Sequence, residues 1–243
     1  MASLQNPARL LPVAAALGAA SLLLAACGSD EASSPVESAA PAASFSVQKG
    51  APATDVVLTS DELPVGVKSV PLTAQQTKQV TDGLSGVAAD TTITPSKCKN
   101  PNPFGAKFDA TGAGMVTGQA GTGAVSEVVL KKKGDLSAVR KNISGDCAKI
   151  TATARQGTIV VTSRVGYSVV PVPRTAADSV VAFRQDRVSA AGGRSSTSHF
   201  LTAWAVVGDY TLTVSQNGST GEPDKRLFDV VLASAIAKAA QAK

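Results

Sequence analysis

The sequence predicts an α+β domain, an antiparallel β-sheet with helices packed mainly on one face, carried behind an exported N terminus. Three observations point there. Alternating and β-branched runs recur between short turns through the middle of the chain, as in antiparallel hairpins with one solvated face. The chain closes on a 3.6-residue apolar repeat, Leu227, Phe228, Val231, Leu232, Ala235, Ile236 and Ala239, which is a helix with one buried stripe. Its opening segment carries a single charge, Arg9, before an uncharged apolar run from Leu10 to Ala26, the layout of a signal peptide.

That run ends in Leu24-Ala25-Ala26-Cys27, which resembles the bacterial lipobox. The resemblance implies cleavage before Cys27 and a diacylglycerol on its thiol, so the mature protein is expected on the extracytoplasmic face of the cell membrane. Two acyl chains make such an anchor stable where one is marginal. From Gly28 the composition turns to Ser, Ala, Pro, Glu and Gly, too poor in large apolar side chains to order itself. The expected division is residues 1–26 signal peptide, 27–54 lipidated tether and 55–241 a sensor-like α+β domain. With Cys27 lipidated, Cys98 and Cys147 are left, and export to an oxidising space predicts a disulfide between them.

Within the domain, Asp55-Val-Val-Leu-Thr59 reads as a short strand and Ser60–Gly66 as a turn. Thr73 and Gln76 form a capping box for a helix running to Leu84, with Val80 and Leu84 inward. A strand around Met115 is expected among several glycines, and a firmer one over 124–131. Asp135 to Ile143 is a short helix with Leu136, Val139 and Ile143 on one side. Strands follow from Ile150, over 158–170 up to Pro171 and Pro173, over 179–186, 198–207 and 210–215. Residues 200–207 are apolar at both parities, so that strand is expected to be central and covered on both faces. Gly208-Asp209 is a tight turn, and Pro223 is placed in the first turn of the closing helix.

Composition excludes several kinds of chemistry. A single histidine in 243 residues allows no multi-histidine metal site, and 4% aromatic content without a clustered basic stripe does not suit a nucleic-acid binder. No cofactor and no metal is expected. Ser46-Val-Gln-Lys49 matches Ser-x-x-Lys, but it lies at the edge of the tether and lacks the partner motifs of penicillin-binding enzymes. His199 stands near Ser195, Ser196 and Ser198, yet adjacent strand residues point to opposite faces, so it reads as structural or merely exposed. Lys131-Lys132-Lys133 reads as a solvated strand end and Trp204 as a core residue.

Leu58 with Asp61-Glu-Leu-Pro-Val-Gly66, Pro95-x-x-Cys98, Cys147 between a helix and a strand, and a closing strand pair with a helix resemble actinobacterial envelope lipoproteins of unknown function. The arrangement is similar, more distantly, to the extracellular sensor domain of PknH-type mycobacterial kinases, which has two disulfides where this chain offers one. The resemblance implies a sheet backed by helices, a cleft for an unknown ligand, and no catalytic residue. The expected function is a non-catalytic binding or accessory module, held to the membrane by its lipid, with a small molecule or an envelope protein as partner. The alternatives are an envelope hydrolase with an unrecognised site and a purely structural interaction lipoprotein.

Overall fold

The computed structural model describes residues 45–73, 75–77, 80, 91–105, 111–121, 123–218 and 221–243. The signal peptide, Cys27, the tether up to residue 44 and Leu84 lie outside the described residues. The strands are β1 (Lys68–Ser69), β2 (Thr91–Thr94), β3 (Gly114–Ala120), β4 (Gly123–Leu130), β5 (Lys149–Gln156), β6 (Ile159–Val170), β7 (Ser179–Ala191), β8 (Arg194–Val207) and β9 (Tyr210–Gly218). The α-helices described from end to end are α1 (Ala53–Val56), α2 (Leu136–Asn142) and α3 (Lys225–Gln241). All nine strands form one antiparallel sheet in the order β1-β3-β4-β9-β8-β7-β6-β5-β2, the expected α+β architecture.

The strands from β5 to β9 form a meander. Three of its connections are tight turns, Gly157-Thr158, Gly192-Gly193 and Gly208-Asp209, and each contains glycine at positive φ. Two-residue hairpins need that left-handed backbone because it matches the twist of the flanking strands. The β3–β4 hairpin then adds to the far side of β9, and β1 and β2, consecutive in the chain, take opposite edges. The apolar run in β8 is central: Leu201, Ala203, Ala205 and Val207 face one layer, Trp204 and Val206 the other.

Two cores result. On one face α3 buries Phe228, Val231, Leu232, Ala235, Ile236 and Ala239 against Val125, Val129, Ala205, Leu212 and Val214. Asp224 caps this helix by accepting the N–H groups of Arg226 and Leu227 at 2.9 and 3.1 Å, so Pro223 precedes the cap rather than occupying the first turn. On the other face α2 places Leu136, Val139 and Ile143 over Val165, Tyr167, Phe183, Trp204 and Val206. Asp135 caps α2 through the Ser137 N–H at 2.8 Å. Cys98 and Cys147, both buried, are joined at the rim of this second core with their Cα atoms 5.5 Å apart, inside the reach of about 7 Å that a disulfide allows. Such a bridge belongs to an oxidising, extracytoplasmic setting.

Two expectations about the start of the domain are corrected. Residues 55–59 are not a strand: Ala53–Val56 is one helical turn, followed by extended, buried Val57 and Leu58. The packed chain also begins before Asp55, because Phe45, Ala51 and Ala53 belong to the α3 core and the Tyr210 hydroxyl donates to the Ala51 carbonyl at 2.6 Å. Phe45 is a large apolar residue in a polar stretch, and burying its ring ties down the chain that follows. The Thr73 capping box forms, with Gln76 Oε1 accepting the Thr73 N–H at 2.9 Å, and residues 75–77 and 80 are helical.

Candidate functional site

A cleft of about 420 Å³ opens between the segment after α1 and the β1–β3 edge, a volume within the range of small-molecule sites. One wall is Leu58, Thr59 and Ser60; the other is Ser69, Val70, Pro71 and Leu72; Met115, Val116 and Thr117 of β3 lie between. Glycines in β3 bring the walls in. A Cβ at Gly114 would lie 2.2 Å from the Ala53 carbonyl oxygen, and one at Gly118 would lie 2.4 Å from Val67 Cγ1. The Thr117 hydroxyl donates to the Val70 carbonyl at 2.7 Å and fixes the second wall.

Side chains rather than a strand ladder hold the first wall. The Leu58 N–H donates to Glu127 Oε2 at 2.9 Å, the Val57 carbonyl accepts from Lys238 Nζ at 2.7 Å, and the Thr59 N–H donates to Glu62 Oε2 at 2.7 Å. Lys238 Nζ also meets Glu62 Oε2 at 2.6 Å. These three side chains satisfy the backbone groups a strand would have paired, which is the physical reason residues 55–59 depart from the expected strand. Glu127 stands on β4 beside Val116 of the cleft floor, on the face that packs α3.

Burial dominates at Glu127, which is 1% exposed: it pushes the carboxyl up to about 8 against the opposing pull of the Leu58 N–H and Lys238. The side chain is therefore protonated at neutral pH. Its other oxygen, Oε1, has no hydrogen-bond partner in the structure. At Glu62 burial also pushes up, but the Lys238 ammonium and the Thr59 N–H outweigh it and hold the carboxyl below its ordinary range. Lys238 is 3% exposed, a charge set into the apolar stripe of α3.

The sequence-derived candidates fall elsewhere. Cys27 lies outside the described residues, and Cys98 and Cys147 are tied in the bridge. His199 Nδ1 faces Asp186 Oδ1 at 2.6 Å and Arg184 Nη2 at 3.1 Å, in a cluster completed by Glu222 on Arg184, and Ser198 stands on the opposite face of its strand. Trp204 is 3% exposed in the core, edge-on to Phe104 with ring centroids 6.1 Å apart. Lys131 donates to the Gly50 carbonyl and Lys132 lies 5.5 Å over the Phe104 ring. Ser46 and Lys49 are exposed. Glu62, Glu127 and Lys238 were not foreseen. The one signal available was Lys238, a cation at a stripe position beside Ala235 and Ala239.

Fold and cleft together define a disulfide-closed α+β domain of the extracytoplasmic space built on a single antiparallel sheet. No protein-family model matches the chain, and no curated protein matches it. Among solved structures it is similar to an uncharacterised Mycobacterium smegmatis protein, the Rv0999 ortholog, at 15% identity and a TM-score of 0.41 over 63% of this chain and 78% of that one.

Proposed function

We propose that this protein is a lipid-anchored module of the cell envelope, held by a diacylglycerol on Cys27, that binds a small ligand in the β1–β3 cleft without converting it. The observation that carries the binding reading is the lining: the described cleft residues are apolar or hydroxyl-bearing, and none of them titrates in the physiological range. General acid–base chemistry needs such a group within hydrogen-bond reach of substrate. The nearby acids and Lys238 are instead engaged in holding the wall. Hydroxyls of Thr59, Ser60, Ser69 and Thr77 around an apolar floor suit a ligand with an apolar body and a few polar atoms. The membrane reading rests on the apolar run that ends in Leu24-Ala25-Ala26-Cys27 and on the buried bridge.

Two experiments test it. Metabolic labelling with a fatty acid should mark the wild-type protein and leave Cys27→Ala unmarked; label that follows the mutant overturns the anchor. Native mass spectrometry of protein extracted from membranes should show a retained small molecule, lost in Ser60→Trp, where an indole at the exposed mouth blocks the cleft. A ligand retained equally by both proteins, or cleaved on incubation, overturns the binding reading.

A further inference from the structure

The strands β6, β7 and β8 are 12, 13 and 14 residues long, whereas α3 has 17 residues. At about 3.4 Å per strand residue and 1.5 Å per helix residue, the helix covers only about half of β8. Among the described residues nothing covers the face beyond it toward the Gly157 and Gly192 turns. There the register sets Arg155 opposite Val160, Arg164 opposite Val188, and Val188 opposite Thr197. All of these side chains are exposed, Val160 by 46% and Val188 by 44%.

Among the described residues, β5, β6 and β8 carry no Asp or Glu. Lys149, Arg155, Arg164 and Arg174 fall between Asp146 and Asp178, and Arg187 and Arg194 between Asp186 and Asp209, with no Asp or Glu inside either interval. The carboxylates of the cluster on this face, Asp186 and Glu222, are held by Arg184, and Asp186 also meets His199. Among the described residues neither Arg155 nor Arg164 meets a carboxylate.

We propose that this open end of the sheet docks on a membrane surface bearing anionic lipid headgroups. Guanidinium groups bind phosphate oxygens in a fork, while short aliphatic side chains enter the boundary between headgroups and acyl chains. An anionic polysaccharide would satisfy the arginines but leave Val160 and Val188 in water, which favours the lipid surface. The inference rests on the lipid-anchor reading in one respect: the segment from Cys27 to Phe45 spans at most about 60 Å when extended, so an anchored domain can turn this face to its own membrane at high effective concentration.

The test uses the mature chain, residues 27–243, with Cys27→Ala so that no lipid is attached. It should co-sediment with vesicles of phosphatidylglycerol and phosphatidylcholine but not with phosphatidylcholine alone, and raising salt to about 0.5 M should release it. Each basic side chain near such a surface contributes roughly fivefold in affinity, so Arg155→Glu with Arg164→Glu should weaken binding about tenfold or more. Val160→Ser with Val188→Ser should weaken it severalfold while leaving the salt dependence intact. These positions are exposed, and unchanged melting with no free thiol after denaturation shows that the variants fold. Equal binding to both vesicles, or charge-reversed protein that binds like wild type, overturns the proposal. So does displacement by soluble polyphosphate with no effect of the Val160 and Val188 changes, which would mark an anionic polymer as the partner. Fatty-acid labelling of the full chain reads the anchor independently, so the two can fail separately.

Discussion

The two cores on either side of the sheet are closed by different means. Under α3, a long capped helix covers a broad apolar floor and tolerates Glu127 and Lys238 within it, because each charged or polar head meets backbone groups of the 57–59 segment. Under α2, a seven-residue helix does the covering, and the bridge from Cys98 to Cys147 closes the rim. Seven residues cannot bury enough apolar surface to hold a layer on their own. The covalent link restricts the unfolded chain instead, and a loop of 49 residues makes that restriction large. One core is held by area and internal hydrogen bonds, the other by a small area and a bond.

The sharpest way to separate the two is to remove the bond. Cys98→Ala with Cys147→Ala should lower stability by about 2–5 kcal/mol in urea unfolding. Hydrogen exchange should rise first in α2 and β5, with α3 still protected. Uniform loss of protection across both faces would mean that the cores are one cooperative unit.

Next in size is Glu127→Gln, which keeps an acceptor for the Leu58 N–H but cannot ionise. Because the folded pKa of Glu127 is raised to about 8, the native state keeps a proton that the unfolded chain releases above its ordinary value of 4.5. Wild-type stability contributed by this group is therefore complete below that value, declines as pH rises toward 8 and levels off beyond. The variant lacks the decline and should be more stable by about 2–4 kcal/mol at pH 8, the gap closing toward pH 4.5. Parallel pH profiles would show that Glu127 is ionised throughout.

Lys238→Met should cost about 1–3 kcal/mol, since it orphans the Val57 carbonyl while Glu62, a quarter exposed, can hydrate. The folded pKa of Glu62 is lowered, so its contribution is present above the ordinary carboxylate value and is lost as acid carries the pH through the folded one. The variant should lose that acid limb of the profile, and Glu127, deprived of a nearby cation, should titrate higher still. The smallest effect is expected at the Arg184 cluster: Glu222→Gln should leave the urea midpoint unchanged, because the exposed Glu222 carboxylate is screened by water and Arg184 keeps Asp186.

Elements governed by local chemistry were legible in the sequence. The stripe of α3, the apolar side of α2, the Gly208-Asp209 turn and the two-faced run of β8 depend on neighbours within a few residues, and each is found where periodicity or turn chemistry placed it. The bridge was legible as well, because after Cys27 is set aside the chain offers one pairing. The segment before β1 was misread for the opposite reason: Val56-Val57-Leu58 has strand composition, but its partners come from positions 127 and 238. The residues that line the cleft escaped notice on the same ground, since no local pattern joins residues 58–60 to 69–72 and 115–117. Charge set into a helix stripe or a buried strand carries no signature of its purpose until distant backbone arrives to be hydrogen-bonded. Periodicity therefore determined which faces are apolar, whereas only the folded chain decided which buried carboxyl keeps its proton and which backbone groups it serves.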